Sequence, residues 1–213
     1  MEVKVVSLIS GGIDSPVSSY LMLRKGAEVV YLHFHSFPIV SKSSIYKVTQ
    51  LVKILSNYQS PSTLYLAPIG EIQARLRTKV DPRYLVVMYR RIMLRIAERI
   101  AEKEKADALV TGESLGQVSS QTLQNLLVIE EAASIPVLRP LIGFDKEEIV
   151  EIAKRIGTYE ISIRPQEDCC TLFVPKRQVS AAKLDKVKKL EEDLPIMEFV
   201  EEAVKKVEKK IIG

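Results

Sequence analysis

Tryptophan is absent from this 213-residue chain, and cysteine and histidine occur only twice each. The two cysteines, Cys169 and Cys170, are neighbours. A disulfide between neighbours closes no useful loop and strains the peptide, which excludes a disulfide framework. His33 and His35 lie far from the cysteines in sequence, so a tetrahedral metal site lacks its ligands and no metal-ligating residues are assigned. Two free core thiols or sulfur chemistry remain open for the pair. No apolar run approaches the roughly 20 residues of a membrane helix. Residues 3–9 lead straight into a glycine turn, unlike a secretory leader, so a cytoplasmic location without membrane attachment is expected. Internal repeats and low-complexity tracts are missing, as are two well-known phosphate loops. The Walker loop requires a lysine after its second glycine, and the dinucleotide fingerprint requires Gly-x-Gly-x-x-Gly.

What the chain does have is an ordinary globular balance, 46% hydrophobic and 27% charged, with a small net charge of +4. Its apolar residues alternate between two periods. Residues 3–9, 27–34, 63–67, 107–111 and 136–139 are rich in β-branched residues and predict buried strands. Residues 16–25, 44–57, 83–105 and 146–155 carry helical spacing. Gly26 is placed to end the first helix, and Asp145 with Glu148 predicts a capping box for the last. Alternating β and α segments imply an α/β fold: a doubly wound, mostly parallel sheet with helices on both faces. After Pro175 the sequence turns Lys/Glu-rich. It predicts two further helices broken at Pro195, with Val204 and Val207 still in helical register. The expected division is a catalytic domain over 1–176 and a C-terminal helical extension over 177–213.

Charge is concentrated between residues 71 and 99. Arg75, Arg77, Lys79, Arg83, Arg90, Arg91, Arg95 and Arg99 face only Glu71, Asp81 and Glu98 in that stretch. The arginine fork suits phosphate, which offers a nucleic-acid surface beside the plainer reading of a solvated helix face. On helical spacing alone, Arg90 and Arg91 form a surface pair.

The segment Ser10-Gly11-Gly12-Ile13-Asp14-Ser15 follows the first strand and opens the first helix, the place where ligands bind in open α/β sheets. Gly11 and Gly12 permit close approach of a phosphate to backbone N–H groups, Ser10 and Ser15 add hydroxyls, and the helix N-terminus adds positive potential. Asp14 suits a role with Mg²⁺ or in orienting the loop. The segment resembles the PP-loop of the N-type ATP pyrophosphatases, which cleave ATP between the α- and β-phosphates and leave AMP on a substrate oxygen.

Three further segments sharpen the resemblance: Leu32-His33-Phe34-His35, the stretch from Thr111 through Gly112 to Gln121 and Thr122, and Arg164 to Pro175 with its Glu-Asp-Cys-Cys core. Together with the PP-loop they resemble the catalytic domain of the tRNA 4-thiouridine synthetases, the ThiI sulfurtransferase family, over residues 3–176. The resemblance implies ATP as cosubstrate with Mg²⁺, and a tRNA uridine adenylylated at O4 before sulfur replaces the oxygen. It places Leu8, Ile9, His33 and Phe34 around the adenosine and makes Arg90, Gly112 and Gln121 nucleotide contacts. It gives Asp14 a catalytic part and makes Cys170 the sulfur-handling thiol, with Cys169 as a resolving thiol. Read from the residues alone, His33 is as well explained as a half-buried structural histidine, and Gln121 as an ordinary helix residue.

Family members usually carry an N-terminal tRNA-binding region with a THUMP domain, and some a C-terminal rhodanese domain. Neither is found in these residues. Transfer RNA binding is therefore expected from a separate THUMP-type protein, from the arginine-rich helix or from a further part of the native chain. A cysteine desulfurase or other persulfide donor is the expected sulfur source, and a homodimer is an expected assembly. The alternatives are another PP-loop sulfur transfer, to a 2-thio tRNA position or in thiamine thiazole synthesis, and a non-catalytic ATP-binding subunit of a tRNA-modifying complex.

Overall fold

A computed structural model of the chain describes residues 3–115, 121–165 and 178–213. Among these, six strands form one sheet: β1 (Lys4–Leu8), β2 (Glu28–His35), β3 (Ser62–Pro68), β4 (Ala108–Val110), β5 (Val137–Leu138) and β6 (Glu208–Ile212), in the order β5-β4-β1-β2-β3-β6. The first five are parallel, and β6 pairs antiparallel with β3. The predicted α/β class and mostly parallel, doubly wound sheet are therefore observed.

The helices are α1 (Asp14–Arg24), α2 (Ser43–Leu55), α3 (Gly70–Arg77), α4 (Leu85–Glu104), α5 (Leu123–Glu130), α6 (Lys146–Arg155), α7 (Tyr159–Ser162), α8 (Leu184–Glu192) and α9 (Ile196–Lys205). Strand periodicity divides the core in two. Val6, Leu32, Tyr65 and Leu109 face one layer with α4 and α9, while Val5, Tyr31, Leu64 and Val110 face the other with α1, α2 and α6. Because these parallel strands are covered on both faces, they read as continuous apolar runs.

Local signals placed several boundaries. Gly26 takes φ +82° directly after α1, a conformation that costs glycine nothing. Asp145 accepts from the Glu148 backbone N–H at 2.9 Å, and the Glu148 carboxylate accepts from the Asp145 N–H at 2.8 Å, completing the predicted box.

The tail departs from expectation. The helical pattern that included Val207 stops with α9 at Lys205, and the Lys/Glu-rich segment after it forms β6. Register with the open edge of β3 outweighs the weak helical preference of Glu-Lys-Lys, which supports the general rule that tertiary context overrides propensity. Phe199, Val200 and Ala203 of α9 belong to the same core as Val6 and Leu32.

Candidate functional site

Chain order reverses between β1 and β4. From β1 the chain winds outward through β2 and β3, then returns to lay β4 and β5 on the other side of β1. The crevice outside the carboxyl ends of two such strands is where open α/β sheets take ligands. One wall is the loop 10–15 leaving β1, and the other is the segment leaving β4.

The loop is held by its own serines. Ser15 Oγ accepts from the Ser10 N–H at 2.8 Å and lies 3.2 Å from Ser10 Oγ, which accepts from the Gly12 N–H at 3.3 Å. Ser19 Oγ donates to the Ser15 carbonyl at 2.9 Å and contacts Ser7 Oγ at 2.8 Å, tying the first turns of α1 to β1. Ser18 Oγ donates to the Thr111 carbonyl at 2.8 Å, so α1 is also fastened to the end of β4. At that point Gly112 is pressed against the loop: a Cβ on it would stand 2.8 Å from both Cα and N of Ser15. Only glycine allows the two walls to approach this closely.

Beyond Gly112 the second wall is ionic. Glu113 is 3% exposed. Its Oε1 forms an ion pair with Arg90 Nη2 at 2.8 Å, and its Oε2 accepts from Arg139 Nε at 2.7 Å and from Thr111 Oγ1 at 3.0 Å. Burial alone would raise the Glu113 carboxyl pKa, but Arg90 and Arg139 outweigh it and hold the group below the usual carboxylate range. Arg139 Nη1 bonds Glu130 at 2.6 Å. Two buried atoms of this wall, Arg90 Nη1 and Arg139 Nη2, have no hydrogen-bond partner among the described residues, and the same holds for Gln121 Oε1 just before α5.

Comparisons with known proteins place this chain in a family. The family model described as "Thiamine biosynthesis protein (ThiI)" matches residues 1–196. The chain belongs to the ThiI family. Two relatives, each called a probable tRNA sulfurtransferase, come from Moorella thermoacetica and Thermus thermophilus. The first is 50% identical over 94% of this chain and 52% of its own length, the second 53% identical over 96% and 50%. The chain thus spans about half the length of these relatives. A crystal structure of a 4-thiouridine synthetase in complex with RNA and bound ATP superposes with a TM-score of 0.95 at 42% identity, covering 99% of this chain and 55% of that one.

The residues that the ThiI resemblance singled out fall into three groups. Ser10, Gly11, Gly12, Asp14, Ser15, Gly112 and Arg90 line the two walls just described, while Gln121 precedes α5 with a buried, unpartnered Oε1. Leu8, Ile9, His33 and Phe34 form the floor at the ends of β1 and β2, where the Ile9 N–H donates to the Leu32 carbonyl at 2.9 Å. Phe34 is buried in the core, and His33 is buried with Nδ1 3.0 Å from the Ile9 carbonyl and Nε2 3.2 Å from Ser44 Oγ. His33 therefore ties β2 to the end of β1 and to α2. Cys169 and Cys170 lie outside the described residues.

Two features escaped sequence reading. Lys146, at the start of α6, reaches Asp14 at 2.5 Å from 132 residues away, and no local pattern announces it. The Glu113–Arg139 pair depends on β4 and β5 being neighbours, which only the sheet order supplies. Arg90 and Arg91 also correct an expectation. They are not a surface pair: Arg91 is 1% exposed, and Arg90 is turned onto Glu113. Among the described residues no group of three or more His, Cys, Asp and Glu side chains could hold a metal ion, and no helix is long and apolar enough to cross a membrane.

Proposed function

We propose that this chain supplies the ATP-dependent activation step of a tRNA sulfurtransferase, in which a tRNA uridine is adenylylated at O4 and the oxygen is then replaced by sulfur. The observation that carries this reading is the serine-braced loop 10–15 at the sheet's reversal point, with Gly112 packed against its backbone. Arg90 Nη1 is a buried donor and Gln121 Oε1 a buried acceptor, the complement that a nucleotide offering both anionic oxygens and N–H or O–H groups would satisfy. The 4-thiouridine synthetase to which this chain is similar holds ATP and RNA.

The backbone N–H groups of the loop and the N-terminus of α1 would stabilise charge gathering on the α-phosphate as uridine O4 attacks and pyrophosphate leaves. Asp14 would be the residue to help hold a Mg²⁺ ion, which would offset charge on the phosphates, and Lys146 beside it would offer them an ammonium group. His33, bonded to the Ile9 carbonyl and Ser44, keeps the floor at residues 8, 9, 33 and 34 fixed for the adenosine. The terminal sulfur of a Cys170 persulfide then attacks C4 and AMP leaves; Cys169 attacks the Cys170 sulfur, releasing the thiouridine and leaving a disulfide that a thiol reductant reopens. Cys170 is assigned the thiol that delivers sulfur, Cys169 the resolving thiol, and a cysteine desulfurase the source. The tRNA is held by this surface together with a THUMP-type region on another protein or on a longer form of the chain.

The chain is incubated with unmodified tRNA, ATP, Mg²⁺, cysteine and a cysteine desulfurase, and digested tRNA is assayed for 4-thiouridine by mass spectrometry. Product that disappears in Asp14→Ala and Cys170→Ser supports both assignments, and loss only in Cys169→Ser exchanges the two thiols. Adenylylated tRNA without thiolation places activation in this chain and sulfur delivery elsewhere. ATP binding with neither species formed overturns the catalytic reading.

A further inference from the structure

We infer that Arg139 is a second phosphate-holding arginine of this site, paired with Arg90 across Glu113. This rests on the nucleotide reading of the crevice and extends it to a residue that neither the loop nor the family resemblance marks.

Three observations carry it. First, Arg90 and Arg139 share one buried carboxylate, each taking a different oxygen of Glu113. The trio, with Glu113 buried and the two arginines partly buried, therefore holds one more positive charge than negative. Glu130 meets Arg139 Nη1 directly at 2.6 Å and balances the cluster's charge, but at 45% exposure its pairing is screened by solvent. Second, Arg90 Nη1 and Arg139 Nη2 are both buried without a partner among the described residues. A desolvated guanidinium donor left unbonded is expensive, and one retained beside a crevice is explained by an anionic acceptor that arrives there. In a planar guanidinium Nη2 lies on the same edge as Nε, and Nε of Arg139 already points at Glu113, so the open donor points into the same cluster. Third, Glu113 follows Gly112, whose Cα is packed against the backbone of Ser15, so the charged cluster begins one residue from the phosphate loop. The acceptor that suits two open guanidinium donors beside the loop is an anionic phosphate oxygen of the nucleotide, not its sugar or base.

Arg139→Lys tests this, because lysine keeps a cation beside Glu113 but cannot serve Glu113, Glu130 and a phosphate with one planar fork. ATP and adenosine binding are measured by calorimetry on the intact chain, with the thermal unfolding midpoint of the unliganded protein as a folding control. The expected result is an ATP affinity weakened about tenfold or more, adenosine affinity unchanged and an unfolding midpoint close to that of the unsubstituted chain. In Arg139→Ala, added methylguanidinium restores part of the ATP affinity. Unchanged ATP affinity in Arg139→Lys overturns the inference, as does equal weakening of ATP and adenosine, which marks a packing role. If the unsubstituted chain itself binds no ATP, the nucleotide reading fails and this inference with it; failure confined to the Arg139 variants leaves that reading standing.

Discussion

Arg90 and Arg91 are adjacent on α4 and lead opposite lives. Arg91 looks toward the tail: its Nε and Nη2 grip Glu191 at 2.8 and 2.9 Å, Nη2 also meets Glu131 at 2.9 Å, and Nη1 donates to the Val128 carbonyl. Arg95 adds a two-pronged contact to the same Glu191 at 2.7 and 2.9 Å. All the nitrogens of Arg91 are occupied, and together these contacts clamp α8 and α5 onto α4. Arg90 looks toward the crevice and keeps one buried nitrogen unbonded. The saturated side of α4 is structural glue, and the unsaturated side is the proposed binding surface. Arginine count alone does not separate the two; partner count does.

The comparison predicts that variants on the two sides fail in different ways. Arg91→Ala leaves the Val128 carbonyl without its guanidinium donor and Glu191 held by Arg95 alone, and should cost about 2–3 kcal/mol by urea denaturation, with ATP affinity of the folded fraction intact. Arg90→Ala leaves Glu113 paired to Arg139, so its stability loss should be smaller while ATP affinity falls. If the two variants lose stability equally, the contrast is void.

Acid sharpens the same contrast. Burial would raise the Glu191 pKa, but the hydrogen bonds from Arg91 and Arg95 reverse that and bring it down to about 2. Its folded value lies below the unfolded value of about 4.3, so its contribution, on the order of 3 kcal/mol, is present above that value. It is lost as pH falls from about 5 toward 2. A stability–pH profile of Glu191→Gln should be flatter than that of the unsubstituted chain in this window; matching profiles would remove Glu191 as the acid-sensitive clamp.

Gly112→Ala should cost about 1–3 kcal/mol, because its Cβ meets backbone, not a flexible side chain. It should also weaken ATP binding, since the loop and the β4 wall must part. The smallest effect belongs to Arg99→Ala. Arg99 is 37% exposed and pairs with Glu102 and Glu201, so its loss should change stability by less than about 1 kcal/mol.

Much of this was legible in the sequence where the cause is local. The loop 10–15, the glycine after α1 and the Asp145–Glu148 box rest on neighbouring residues, and each lies where its chemistry put it. The segments that were not legible depend on distant partners. Helix α5, Leu123-Gln-Asn-Leu-Leu-Val-Ile-Glu130, has apolar residues on every side and no clear period, with Leu123 and Leu127 left exposed. Strand β6 looks helical by composition and is made a strand by β3. The partners of Arg90, Arg91 and Asp14 come from segments 23, 100 and 132 residues away in the chain, beyond the reach of any spacing rule.

Strand β6 also has a temporal meaning. It closes β3 by pairing Ser62 with Ile212 and Leu66 with Glu208, contacts roughly 150 residues apart. During synthesis, β3 can join β2 early, yet its outer row of peptide groups stays open until residues 208–212 have emerged. Contacts of such long separation form slowly, and an unpaired edge invites association with other strands in the interval. Lys209 and Lys210 on the closing strand are the kind of charges that discourage a further strand from adding once the edge is sealed. The interval before sealing is thus the chain's most vulnerable stage, and a nascent chain halted short of residue 208 would be the form most prone to aggregate.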